Sequence, residues 1–207
     1  MPNHCTNNLM VMGDEKEVKR FREAITNGEN LEQYSEFSIL ANLLPTPEEL
    51  ANTPSGSFAS DEQKKVDEKN KSNIAKFGHK DWYDWNCANY GSKWSDFEGQ
   101  FGTVTPTELN LIFMSAWSPL GEGIRNVSKQ FPTLDFVLSY DEGGMAFCGS
   151  YAIHNGEFIT EFEGEYPTIT DEQCENDEYD EFYEQVRTVV QVLEVKCIEA
   201  LRGVSTS

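Results

Sequence analysis

No lysine or arginine occurs between Gln130 and Val186, a stretch that carries fifteen acids from Asp135 to Glu184. The whole chain has 36 acidic residues against 16 basic ones, a formal net charge of −20 over 207 residues. Outside that stretch the 21 remaining acids meet all 16 bases, which is close to an ordinary balance. A membrane surface or a nucleic-acid backbone would repel such a segment, and a basic partner would be drawn to it. No apolar run approaches the ~18–20 residues that cross a bilayer. The opening Met1-Pro2-Asn3-His4-Cys5 lacks the basic and apolar regions of a secretory signal, so a cytoplasmic protein is expected. The five cysteines are an odd number without a close pair, which gives neither a disulfide framework nor a metal knuckle. Neither a GxGxxG nor a GxxxxGK[ST] loop is present; Gly121 and Gly123 lack the third glycine. No nucleophile elbow and no HExxH occurs, and no cofactor is implied.

What is present suffices for a folded core: 38% of residues are hydrophobic and 12% aromatic. A strand from Cys5 to Met12 leads through Gly13-Asp14 into a helix with Val18, Phe21 and Ile25 on one stripe. Asp14 and Glu17 have the spacing of an N-cap and capping box, and Gly28 is a stop. Phe37 to Leu44 reads as a second extended segment before Pro45-Thr46-Pro47. Residues 51–60 are rich in Pro, Gly and Ser. A polar helix to about Phe77, capped by Ser60 and Gln63, and an aromatic piece from His79 to Tyr90 follow. Residues 51–105 therefore read as a helical insertion.

Leu109 to Met114 reads as a strand buried on both faces or nearly so. Ser118-Pro119 has the form of an N-cap and first helical position, and Leu120, Ile124, Val127 and Phe131 make a helical stripe. Leu134, Phe136, Leu138 and Tyr140 alternate as a strand. Met145 to His154 and Glu157 to Tyr166 form a hairpin about the type I′ pair Asn155-Gly156. A long helix from Glu178 to Leu201 carries Phe182, Val186, Val189, Leu193, Cys197 and Leu201 on one face. This order predicts an α+β, ferredoxin-like antiparallel sheet with helices on one face, a helical insertion, an extra C-terminal hairpin and a long helix. Residues 1–166 would form the domain, and 167–207 an acidic loop and helix packed on it.

Three stretches resemble the YubB-type ferredoxin-like family of phages and conjugative plasmids. They are the opening MPNHCTNN, the block FGHKDWYDWNCANYGSKW from Phe77 to Trp94, and Ala116-Trp117-Ser118-Pro119 with Phe131-Pro132. The resemblance implies a ferredoxin-like fold and a mobile-element origin. It carries no catalytic residues over to this chain.

Two constellations remain. His79, Asp81, Asp84 and Cys87 lie close enough on one helix for a hydrolase or metal site to use them. The same residues also serve as a helix start and an aromatic lid. Glu157, Glu161, Glu163 and Glu165 share strand parity, which predicts a row of carboxylates roughly 6–7 Å apart. Asp171, Glu172, Glu175, Asp177, Glu178, Asp180 and Glu181 extend the charge over a loop and a helix start. Such a surface either solubilises the protein or binds a basic partner in imitation of a nucleic-acid backbone. The strands 109–116 and 134–140 contain no basic residue, which argues against RNA binding by the sheet. The expectation is a non-enzymatic binding protein that inhibits a basic or nucleic-acid-binding host factor. The alternatives are a hydrolytic or metal-dependent enzyme using His79, Asp81 and Asp84, and a structural or regulatory virion protein.

Overall fold

The computed structural model describes residues 3–26, 37–57, 59–169 and 179–204. The first strand, β1 (His4–Met12), alternates strictly, with Cys5, Asn7, Leu9 and Val11 inward. Asp14 then caps α1 (Glu15–Ile25), accepting from the backbone N–H groups of Lys16 and Glu17. Glu17 does not complete a capping box; its carboxylate holds Arg20 at 2.6 Å instead. The helix stop expected at Gly28 lies outside the described residues.

The segment 37–44 is not a strand. It holds a single helical turn, α2 (Leu40–Leu43), followed by α3 (Glu48–Ala51). Asp96 accounts for this. Its two carboxylate oxygens accept from the amides of Ile39 and Leu40 at 2.8 Å each, which starts a helix where the apolar pattern alone suggests a strand. Next come α4 (Ser60–Phe77) and α5 (Trp82–Tyr90), the former without a side-chain cap from Ser60 and the latter capped by Asp81. The true second strand, β2 (Phe97–Val104), lies inside the stretch read as an insertion. Its pairing with β3 (Glu108–Ala116) shifts register twice, which blurs the period-two pattern. Between β3 and β4 (Asp135–Glu142) sits α6 (Gly121–Ser128), with Leu120 rather than Ser118 at its N-cap. The Ser118 hydroxyl donates to the Gly91 carbonyl instead of capping that helix. The hairpin β5 (Phe147–His154) and β6 (Glu157–Gly164) turns on Asn155 and Gly156, both at positive φ as a type I′ turn requires.

All five strand pairings are antiparallel, in the order β2-β3-β1-β4-β5-β6. The path β1-α1-β2-β3-α6-β4 is the ferredoxin-like frame, with β1 and β3 central, and β5 and β6 widen it beyond β4. The main core lies between one sheet face and α1 and α6. There Phe21 meets Phe131 and Phe136 edge to face at 5.1 and 5.6 Å. Each such fully buried side chain contributes about 1.5–3 kcal/mol.

The last helix, α7 (Tyr179–Val204), lies on the opposite face rather than with the others. Cys197 and Leu201 pack on Val137 and Ala152, whose side chains point away from the main core. This makes the strands β4 and β5 buried on both sides, so Val137 and Ser139 are as buried as Phe136 and Leu138. The face of β3 opposite the main core is less covered than its sequence suggests: Asn110, Ile112 and Met114 are only half-buried, because α7 spans β4 to β6. No helix among the described residues is long and apolar enough to cross a membrane.

Candidate functional site

The edge strand β6 presents the carboxylates, but not as one row. Directly opposed residues of an antiparallel pair point to the same face. Tyr151 opposes Glu161, and Gly149 opposes Glu163, so these two acids face the side on which α6 lies. A register shift between Ala152 and Ile153 then sets Ile153 against Phe158 and His154 against Glu157. The bulge therefore turns Glu157 to the α7 face and brings Phe158 alongside Glu161, which parity counting places apart. Glu165 follows the strand and is exposed. Asp180 and Glu181 are exposed on the first turn of α7. Asp171, Glu172, Glu175, Asp177 and Glu178 lie outside the described residues.

Behind Glu161 and Glu163 stand two stacked tyrosines, Tyr140 and Tyr151, with ring centroids 5.1 Å apart and planes 30° apart. Phe158 adjoins Tyr151 at 5.2 Å. The tyrosines close-pack because the residues facing them are small. An added Cβ on Gly149 would collide with the Tyr140 hydroxyl, and one on Gly121 would lie 2.8 Å from the Tyr151 ring. Two adjoining hollows of about 270 and 230 Å³ flank Tyr151, one reaching Glu163 and the other Glu161 and Glu122. Burial, then Tyr140, then Glu161 hold the Tyr151 hydroxyl protonated far above the usual tyrosine range. Burial and then Asp141 raise Tyr166, which follows β6, to about 12. Among the described residues no ion pair reaches Glu161, Glu163, Asp180 or Glu181. One arginine already shows how a cation fits here. Arg125 pairs with Glu122 at 2.6 Å while its guanidinium lies 5.7 Å from the Phe158 ring.

The pattern of acids marks this strand, but nothing in the sequence marks the tyrosine stack. Tyr140 and Tyr151 are eleven residues apart, and only the strand register brings them together. Glu142, another acid of the same stretch, is a structural residue: it is 2% exposed and accepts from the amides of Gly144 and Met145 to close a turn.

The other cluster comes together only in part. His79 Nδ1 lies 3.3 Å from Asp84 Oδ2. Asp81 is 2% exposed and turns inward as the cap of α5, accepting from the Asp84 amide at 2.9 Å. Cys87 is exposed and interacts with Tyr83, whose ionisation is raised first by the charge of Cys87 and then by a hydrogen bond to it. No group of three or more His, Cys, Asp or Glu among the described residues is placed to hold a metal ion.

Residues 84–185 match the family model described as the ferredoxin-like domain in Api92-like protein. The domain is ferredoxin-like. The match runs from α5 across β2 to β6 and leaves β1 and α1, which complete the ferredoxin-like frame, outside it. The crystal structure of protein api92 from Yersinia pseudotuberculosis aligns with a TM-score of 0.50 at 13% identity. The alignment covers 82% of this chain and 100% of that one, a likeness of fold alone. No curated protein matches the chain. Both similarities name Api92-like proteins, and neither names the YubB-type family that the sequence motifs led one to expect.

Proposed function

We propose that this ferredoxin-like protein acts by binding, without catalysis, and that it holds a basic segment of a partner protein on the β5–β6 face. The observation that carries this reading is the pairing of Glu161 and Glu163 with the Tyr140–Tyr151 stack. An arginine or lysine side chain would find carboxylates for its charge and ring faces for its stem or guanidinium plane. The −20 charge would speed the approach of a basic partner and make association weaken with salt. The fifteen acids of residues 135–184 have no lysine or arginine among them, so their mutual repulsion favours a partner that relieves it.

The partner class follows from the charge: a basic, nucleic-acid-binding host protein, with the acidic surface in the place of the phosphate backbone. Inhibition of such a factor in the host cytoplasm is the role that suits a phage or plasmid origin. Direct nucleic-acid or membrane binding does not fit this field.

The test is titration of the full-length protein with an arginine-rich peptide and with an acidic peptide of equal length, at low and high salt. Saturable binding of the arginine-rich peptide alone, weakened by salt, is expected. Equal response to both peptides, or none, would remove the reading.

A further inference from the structure

A cavity of about 510 Å³ lies where β1 and β2 begin, toward the sheet edge opposite β6. We propose that it is a binding site for an uncharged, flat heterocycle of the nucleobase class, taken as the free base or nucleoside. Its volume falls within the range of small-molecule sites, ~300–1,000 Å³.

The cavity is built, not left over. Asn86 and Asp96 are each only 7% exposed and Tyr90 only 2%, yet all three line it. Buried polar groups require partners, and counting their bonds shows what is spare. Asp96 accepts from the amides of Ile39 and Leu40 at 2.8 Å each, so its charge is already answered within the fold. The ammonium of Lys93, the residue before Trp94, lies 3.9 Å from the Trp94 ring centroid and 4.0 Å from that of Trp117. Neither charge calls for a counter-ion from a ligand.

Asn86 is different. Its carboxamide oxygen accepts from the Thr46 hydroxyl at 2.6 Å, and its nitrogen donates to the Lys93 carbonyl at 2.8 Å. Its second N–H has no partner among the described residues. Beside it, the Thr46 and Tyr90 hydroxyls lie 3.1 Å apart. Thr46 donates to Asn86 and Tyr90 donates to the Leu44 carbonyl, which leaves both oxygens with accepting capacity. One donor next to two acceptors complements the acceptor-and-donor edge of a heterocyclic amide or amidine.

The walls supply the flat surfaces. Phe97 meets His4 edge to face at 5.1 Å and Trp94 at 6.4 Å, and Trp94 stays 40% exposed. Trp117, across Lys93, has φ +69, a strained conformation for a bulky residue. Its amide donates to the Asn3 carbonyl at 3.0 Å, which helps hold it there although its side chain is 48% exposed. A phosphate on the ligand would meet the −20 field of the whole protein, so the nucleoside is preferred over the nucleotide.

The test titrates the full chain with adenosine, guanosine, cytidine and uridine, followed by tryptophan fluorescence and ligand-observed NMR. The corresponding 5′-monophosphates and glucose serve as comparison arms. At least one nucleoside is expected to saturate, its monophosphate to bind more weakly, and glucose not to bind. Trp94→Ala, at a half-exposed wall, should weaken that nucleoside about tenfold while shifting the melting temperature little. Phe97→Ala supplies a second wall variant in case the first disturbs the fold. Absence of saturation by every nucleoside, equal binding of glucose, tighter binding of the monophosphate, or full affinity in both folded variants would each overturn the proposal.

Discussion

Glu161 stands directly across the β5–β6 ladder from Tyr151, and both side chains lie on the face that α6 shares. A carboxylate set against a half-buried tyrosine ring is the local feature that separates a binding groove from a merely solvated acidic edge. Its geometry rests on the absence of a side chain at Gly149, beneath Tyr140.

Gly149→Ala should therefore damage the groove from behind. The added methyl would displace the Tyr140 hydroxyl and press on the Phe162 carbonyl. A stability loss of about 1–3 kcal/mol is expected, measured by urea denaturation, together with weaker binding of a basic peptide. Unchanged stability would mean that Tyr140 is free to move and does not define the groove.

Acidification should stabilise the protein before it unfolds it. Burial raises the carboxyl groups of Asp96, Asp141 and Glu194 above their ordinary values, with Glu142 adding to the effect at Asp141. Their folded forms hold protons more tightly than their unfolded forms. Stability thus falls as pH rises from the unfolded pKa through the folded one, and recovers on acidification across that window. The melting temperature should rise between neutral and mildly acidic pH. Glu194, on α7, accepts from Asn8 at 3.0 Å and Ser139 at 3.2 Å. Glu194→Gln keeps an oxygen for these donors, so it should raise the melting temperature at neutral pH and flatten the pH slope. A melting temperature that falls steadily from neutral pH downward would contradict the assignment.

Much of the frame was legible because it is written in local periodicity. The stripe Val18, Phe21 and Ile25, the run Leu109 to Phe113, the Asn155-Gly156 turn and the α7 stripe each announce an element, and each forms. What was not legible depends on partners distant in sequence. The helical start at Leu40 comes from Asp96, and β2 is masked by two register shifts. The position of α7 on the second face is decided by Val137 and Ala152, small or apolar residues between core positions that a one-sided reading passes over. The same holds at the site. The acids of β6 were visible, but the bulge that separates Glu157 from Glu161, and the tyrosines behind Glu161, exist only through the pairing register.

The second layer can be tested by Leu201→Ala. Leu201 is 2% exposed in the cluster with Val137, Ala152 and Cys197. Truncation should cost about 2–4 kcal/mol and speed amide exchange in α7 before it affects β1. Uniform loosening of both regions would contradict a separate second layer.

The aromatic block should prove structural at its inner residues. Trp85 is 8% exposed and packs edge to face on Tyr90 at 5.2 Å. Trp85→Ala should cost about 3–5 kcal/mol, while the folded fraction, isolated at low temperature, keeps its affinity for an arginine-rich peptide. Loss of that affinity in folded protein would move the interaction surface to α5.

The most direct measurement is the affinity of the double variant Glu161→Gln, Glu163→Gln for an arginine-rich peptide, read beside its melting temperature. Both acids are solvent-exposed, and no ion pair among the described residues depends on them. The account predicts an unchanged or slightly higher melting temperature, with binding weakened about tenfold or more at low salt. Full affinity in the folded double variant would show that these carboxylates only solubilise the edge strand and would contradict the account.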